Sequence, residues 1–191
     1  MASDDLQLIR STLAGDRNAF GELVLRYQDR LYSTLARMLG SSHDARDVSQ
    51  DAFLLAYQKL DTFRQESSFY AWLFRIAYHA AINNRRRVRR TPIPLPGLGE
   101  SADLDHPDTS LSSPPEAPIE ARESELQLHQ ALQQLPEDYR AALLLKELEG
   151  LPYEEIAELM QCPVGTVRSR IHRARQMLRE RLSRVIEREQ K

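Results

Sequence analysis

The sequence predicts an all-α fold: two small helical domains joined by a flexible linker rich in proline and acid, the C-terminal domain containing a helix-turn-helix. Three observations carry this. Apolar residues recur at steps of three and four on both sides of the chain's middle. No stretch alternates apolar and polar residues between hairpin turns. Seven of the ten prolines fall within residues 91–120, where proline breaks helices and six acidic residues repel one another. The 191 residues therefore divide into a domain at 1–90, a linker at 91–120 and a domain at 121–191.

In the first domain Leu6, Ile9 and Leu13 share one helical face, and Gly15 is a plausible stop. Asp16 can cap the next helix, in which Phe20, Leu23, Val24, Tyr27, Leu31 and Met38 keep the helical period until Gly40. Ser41 and Asp44 stand in capping-box spacing. The helix they open turns Val48, Ala52, Leu55 and Ala56 to a core. A fourth helix starts near Phe69 and runs into the arginines at 85–90.

The second domain opens with a helix bearing Leu128, Ala131, Leu132 and Leu135, ended by Pro136. Residues 137–149 form the next, with Leu144, Leu145 and Leu148 among its apolar positions and Gly150 as its end. Pro152 suits the first turn of a short helix, where its missing N–H costs little. Glu154 and Glu155 suit the positive end of that helix. After "QCPVG" a long helix runs from about Gly165.

A formal net charge of −2 conceals an uneven layout. Residues 162–191 hold nine basic and three acidic residues, net +6, whereas 121–161 hold three and nine, net −6. A solvated surface mixes its signs more evenly. The basic helix has an internal order. Val167, Ile171, Ala174, Leu178 and Leu182 form one apolar stripe. At about 100° per residue, Ser169, His172, Arg173 and Gln176 fall opposite, with Arg168 beside them. Arginine can bond a guanine edge with two parallel hydrogen bonds, and serine can bond a base or a phosphate. Arg170, Arg175 and Arg179 flank that face and better suit phosphates. A solvated amphipathic helix would share these features, so the stripe alone leaves both readings open.

Two surfaces of the first domain add to this. Phe63, Phe69, Tyr70, Trp72 and Phe74 precede the basic run at 85–90, and aromatic rings with arginines suit unpaired bases. Trp72 and Phe74 read better as core; Phe63, on a loop before the helix, is open. On the third helix Asp47, Gln50, Asp51, Leu54 and Gln58 lie opposite the core stripe. That face is either plain solvated surface or an interface for a basic partner.

Taken together, these segments resemble an extracytoplasmic-function sigma factor near the sigma-E-like group. "DVSQDAFLLAYQKLDTF" resembles the family's polymerase-binding helix, "SSFYAWLFRIA" its minus-10 segment, and "LPYEEIAELMQCPVGTVRSRIHRAR" its minus-35 helix-turn-helix. The resemblance implies a transcription initiation factor that directs RNA polymerase core to promoters. It implies that Asp47, Gln50, Asp51 and Leu54 dock on the clamp helices of the largest subunit, with further contacts to upstream subunit elements. The loop Phe63, Arg64, Gln65, Glu66 and Ser67, with His79 and Asn83 on the following helix, would engage the minus-10 element. Arg168, Ser169, Arg170, His172, Arg173 and Gln176 would meet the minus-35 major groove. An anti-sigma factor is the implied regulator, and the acidic linker would thread toward the RNA exit path. Gln65 stands where the family often has glycine, and His79 where it often has asparagine. If position 65 needs a positive φ, glutamine is strained there.

The competing readings are a free-standing helix-turn-helix regulator and a polymerase-binding adaptor that reads no DNA. Stacking rings ahead of a basic run argue against the first, and the recognition face against the second. The sequence shows no nucleotide-binding glycine loop, catalytic triad or ligand-spaced His/Cys cluster, so neither enzyme activity nor a cofactor is expected. The start "MASDDLQLIR" reads as neither signal peptide nor membrane span. One cysteine, Cys162, excludes an internal disulfide and reads as a small buried side chain. A cytoplasmic protein without membrane insertion is the expectation.

Overall fold

The computed structural model describes residues 2–90 and 119–189, and side chains over 4–82 and 123–183. The helices are α1 (Ala2–Leu13), α2 (Arg17–Leu39), α3 (Ser42–Gln58), α4 (Phe69–Arg90), α5 (Ile119–Gln133), α6 (Glu137–Glu147), α7 (Tyr153–Met160) and α8 (Val164–Glu189). A 3-10 turn, Leu60–Thr62, follows α3. No strand occurs among the described residues, and the all-α reading holds. The expected linker lies outside the described residues, except that Ile119 and Glu120, assigned to it from sequence, open α5.

The chain forms two compact units, one of α1–α4 without Ala36–Gly40, the other of α5–α8 with those residues. In the first, α3 packs on α4. Ala45, Ala52 and Ala56 are wholly buried on α3, and such small residues let helices approach closely. Leu23 and Leu31 of α2 and Phe69, Leu73 and Phe74 of α4 are buried in the same unit.

The predicted punctuation is present. Gly15 takes φ 106° and Gly40 φ 75°, conformations that glycine adopts without a Cβ penalty. The Asn18 N–H donates to Asp16 Oδ1 at 2.9 Å, and the Asp44 N–H donates to Ser41 Oγ at 3.1 Å. Each cap satisfies a backbone donor at a helix start.

A clamp between α1 and α2 was not foreseen. Arg26 donates from Nη1 to Asp5 Oδ1 and from Nη2 to Asp4 Oδ2, both at 2.5 Å. These bonds raise the Arg26 pKa. Leu13, expected on the inner face of α1, is 55% exposed. As the last residue of α1, it has no following turn of its own helix to cover it.

In the second unit α8 packs against α5, α6 and α7. Ala142, Leu145, Ile156, Val167, Ile171 and Ala174 are buried. Leu128 and Leu148, which kept the apolar period, stay substantially exposed. Leu148 caps the C-terminal end of α6 and so sits beyond its last turn.

Candidate nucleic-acid interface

The turn between α7 and α8 sets the geometry of the helix-turn-helix. Gln161 adopts the left-handed conformation, φ 50° and ψ 48°. The Cys162 N–H donates to Ala157 O at 3.0 Å, and the Gln161 N–H to Glu158 O at 3.2 Å. This pair of bonds is the Schellman closure of a helix end. Pro163 then supplies the carbonyl that accepts from the Thr166 and Val167 N–H groups at 2.9 and 3.2 Å. The chain thus turns within three residues, 161–163, and Pro163, immediately before Val164 opens α8, stands where no N–H is needed.

Burial of Val167, Ile171 and Ala174 fixes the rotation of α8. Arg168, Ser169, His172, Arg173 and Gln176 are all exposed, as the stripe predicts. Their local partners differ. The Ser169 hydroxyl donates back to Thr166 O at 2.9 Å. Gln176 Nε2 donates to Glu180 Oε1 at 3.2 Å. Arg173 Nη1 donates to the Tyr139 hydroxyl oxygen at 3.3 Å. The Arg168 guanidinium lies 5.7 Å from the Tyr153 ring centre, and Lys146 Nζ lies 5.0 Å from that same centre.

Two flanking arginines are tied within the unit. Arg170 is half-buried; its Nη2 lies 2.5 Å from Asp138 Oδ2 and its Nη1 3.4 Å from Cys162 Sγ. Arg170 therefore joins the α7–α8 turn to the first turn of α6. Arg175 donates from Nε to Glu147 Oε1 at 3.1 Å and also from Nη2, and this raises its pKa. Exposed pairs of this kind contribute about 0–1 kcal/mol and exchange readily for other anions. Cys162 is half-buried in the turn.

In the first unit, residues 63–67 leave the 3-10 turn and enter α4. Gln65 takes φ 61°, so the positive angle considered from sequence is adopted by a residue with a Cβ. Ser68 caps α4, its Oγ accepting from the Ala71 N–H at 3.2 Å. Phe63 is half-buried, edge-on to Phe69 at 6.0 Å and tilted against Trp72 at 5.4 Å. It anchors the loop through these rings, while Arg64, Gln65 and Glu66 are exposed and Ser67 half-buried. Phe74 is core, as expected; Trp72 is half-buried. His79 is exposed on α4, and the Asn83 side chain lies outside the described residues.

On α3, Asp47, Gln50, Asp51, Leu54 and Gln58 are all exposed, opposite Val48, Ala52 and Ala56. Leu54 is 58% exposed within this polar row. No group of three or more potential metal ligands occurs among the described residues. No described helix is long and apolar enough to cross a membrane.

Comparison with known proteins accounts for both units. Residues 23–91 match the family described as sigma-70 region 2, and residues 125–178 that described as sigma-70 region 4. The chain is 45% identical over 177 residues to the RNA polymerase sigma-H factor of Pseudomonas aeruginosa, covering 91% of each. It is 41% identical over 186 residues to the sigma-E factor of Escherichia coli, covering 96% of this chain and 97% of that one. Among solved structures it is similar to the Bartonella quintana sigma factor RpoE in complex with the anti-sigma factor NepR. There the TM-score is 0.66 at 27% identity, over 86% of this chain and 96% of that one. A second neighbour, CnrH with the cytosolic domain of CnrY, gives a TM-score of 0.61 at 28% identity, over 94% and 97%. These matches favour an initiation factor over a free-standing regulator, and members of this group are not enzymes. Both matched regions in order, and identity above 40% along nearly the whole chain, show that the protein belongs to the sigma-70 family as an extracytoplasmic-function sigma factor, which binds RNA polymerase core and promoter DNA.

Proposed function

We propose a division of labour between the segments. Residues 1–90 bind the polymerase clamp and engage the minus-10 element; residues 121–191 read the minus-35 element; residues 91–120 are the tether. The observation that carries this reading is the outward face of α8. Val167, Ile171 and Ala174 of its apolar stripe are buried and Leu178 and Leu182 half-buried, while Arg168, Ser169, His172, Arg173 and Gln176 face solvent, which supports a helix that reads base edges in a major groove. Arg170 serves phosphate or scaffold, since its guanidinium already has an anionic partner in Asp138.

Asp47, Gln50, Asp51 and Leu54 form the docking face for the clamp helices of the largest subunit, a contact of acidic and apolar character. Upstream subunit elements complete the polymerase contact. The loop 63–67, with His79 and Asn83, holds a base turned out of the non-template strand. Phe63 supports that loop from behind. Melting then draws on binding energy to unpaired bases. An anti-sigma factor restrains the protein by covering its polymerase-binding surfaces; a similar sigma factor solved with an anti-sigma partner supports the existence of such a regulator. The protein works in the cytoplasm, where its polymerase is.

Reconstituted transcription with purified core polymerase and a randomised promoter library tests the whole reading. Initiation at a defined pair of elements, dependent on both core and this protein, is the expected result. A footprint by the protein alone, with no effect on initiation, would overturn it.

A further inference from the structure

The first turn of α6 reaches the arginines of α8 at two adjacent positions. Asp138 accepts from Arg170 at 2.5 Å, and the Tyr139 hydroxyl oxygen accepts from Arg173 at 3.3 Å. Arg170 and Arg173 are three residues apart, hence neighbours on one side of the helix. Arg173 is exposed and Tyr139 is half-buried. A flexible, exposed arginine therefore has its guanidinium bonded to a side chain that packing restrains on another helix.

We infer that Tyr139 is a specificity-determining residue that acts through Arg173: it holds the guanidinium in place before DNA arrives. The inference rests on the reading of α8 as the minus-35 recognition helix. A guanidinium has five N–H donors in a fixed fork. One donated to Tyr139 leaves enough for a two-pronged bond to a guanine edge. Fixing the side chain beforehand removes ordering cost from the binding step. It also selects one base position, because a tethered fork cannot sweep to its neighbours. Asp138 contributes indirectly by holding Arg170, one turn earlier, against the same helix start. Tyr139 makes no base contact in this scheme. It is a positioning residue.

A double-mutant cycle in the full-length protein bound to core polymerase separates positioning from mere support. Selection from a promoter library would be measured for the wild type, Tyr139→Phe, Arg173→Ala and the double variant, with thermal unfolding as a check on the fold. Tyr139→Phe keeps the ring and removes the acceptor. It is expected to reduce discrimination at one minus-35 base pair by about threefold to tenfold, the range for one hydrogen bond. In the Arg173→Ala background the same change is expected to do nothing further. Independent losses that add in the double variant would overturn the inference, as would unchanged discrimination in Tyr139→Phe. If Arg173→Ala itself leaves the minus-35 preference intact, the recognition face fails first, a separate result from failure of the positioning.

Discussion

The Tyr27 hydroxyl donates to Asp5 Oδ2 at 2.5 Å, across twenty-two residues of sequence. Burial first, and the Asp5 bond second, push the Tyr27 phenol up to about 12 from its ordinary 10. The folded state thus holds this proton more tightly than the unfolded chain does. Stability from the bond is complete below pH 10 and falls as pH rises toward 12, where the folded phenol ionises. In denaturant melts from pH 9 to 12, the wild type should lose more stability than Tyr27→Phe. Equal slopes for the two proteins would show that the clamp contributes nothing through this proton.

Two glutamines occupy backbone conformations suited to glycine: Gln65 at φ 61° and Gln161 at φ 50°. A side chain in that region costs about 1–2 kcal/mol, partly offset by the greater freedom of unfolded glycine. Gln161→Gly should therefore stabilise the second unit by about 0.5–1 kcal/mol, read as a rise in its unfolding midpoint. Gln65→Gly should stabilise by a similar amount and broaden minus-10 selectivity, because a loop without a Cβ at position 65 adopts more conformers. A drop in stability for either variant would mean that the glutamine side chain makes a compensating contact.

These two positions show what sequence can and cannot reveal. Helix order, caps and faces were legible because each is local: Ser41 finds Asp44 three residues on, and Val167, Ile171 and Ala174 announce their face by spacing alone. A possible strain at Gln65 was legible only through comparison with a familiar glycine. Contacts spanning many residues left no periodic trace. Asp5 meets Tyr27, Asp138 meets Arg170, and Tyr139 meets Arg173, and nothing in the intervening chain marks them. Leu13 illustrates the opposite error. Its period was right, but a helix end has nothing beyond it to complete the burial.

Arg173 and Arg179 should differ in kind when replaced. Arg173 lies on the face opposite the buried stripe, whereas Arg179 flanks it. Arg173→Ala should alter preference at one minus-35 base pair by about 1–3 kcal/mol. Arg179→Ala should weaken all promoters alike and reduce the salt dependence of binding by about one unit of slope. Promoter-library selection and salt titrations with the polymerase complex measure both. A uniform loss from Arg173→Ala would move that residue to the phosphate class.

Asp51 tests the docking face of α3. It is exposed between Gln50 and Leu54, and the buried Val48, Ala52 and Ala56 hold the helix without it. Asp51→Arg should leave the unfolding midpoint unchanged or slightly raised, because arginine favours helix more than aspartate does. Against a basic partner the reversal replaces attraction with like-charge repulsion, which costs several kcal/mol at a close contact. Binding to core polymerase should weaken by at least about tenfold, and added salt should narrow the difference between the two proteins. Binding equal to that of the wild type, in a folded variant, would show that the polymerase is held by some other surface than the outward row of α3.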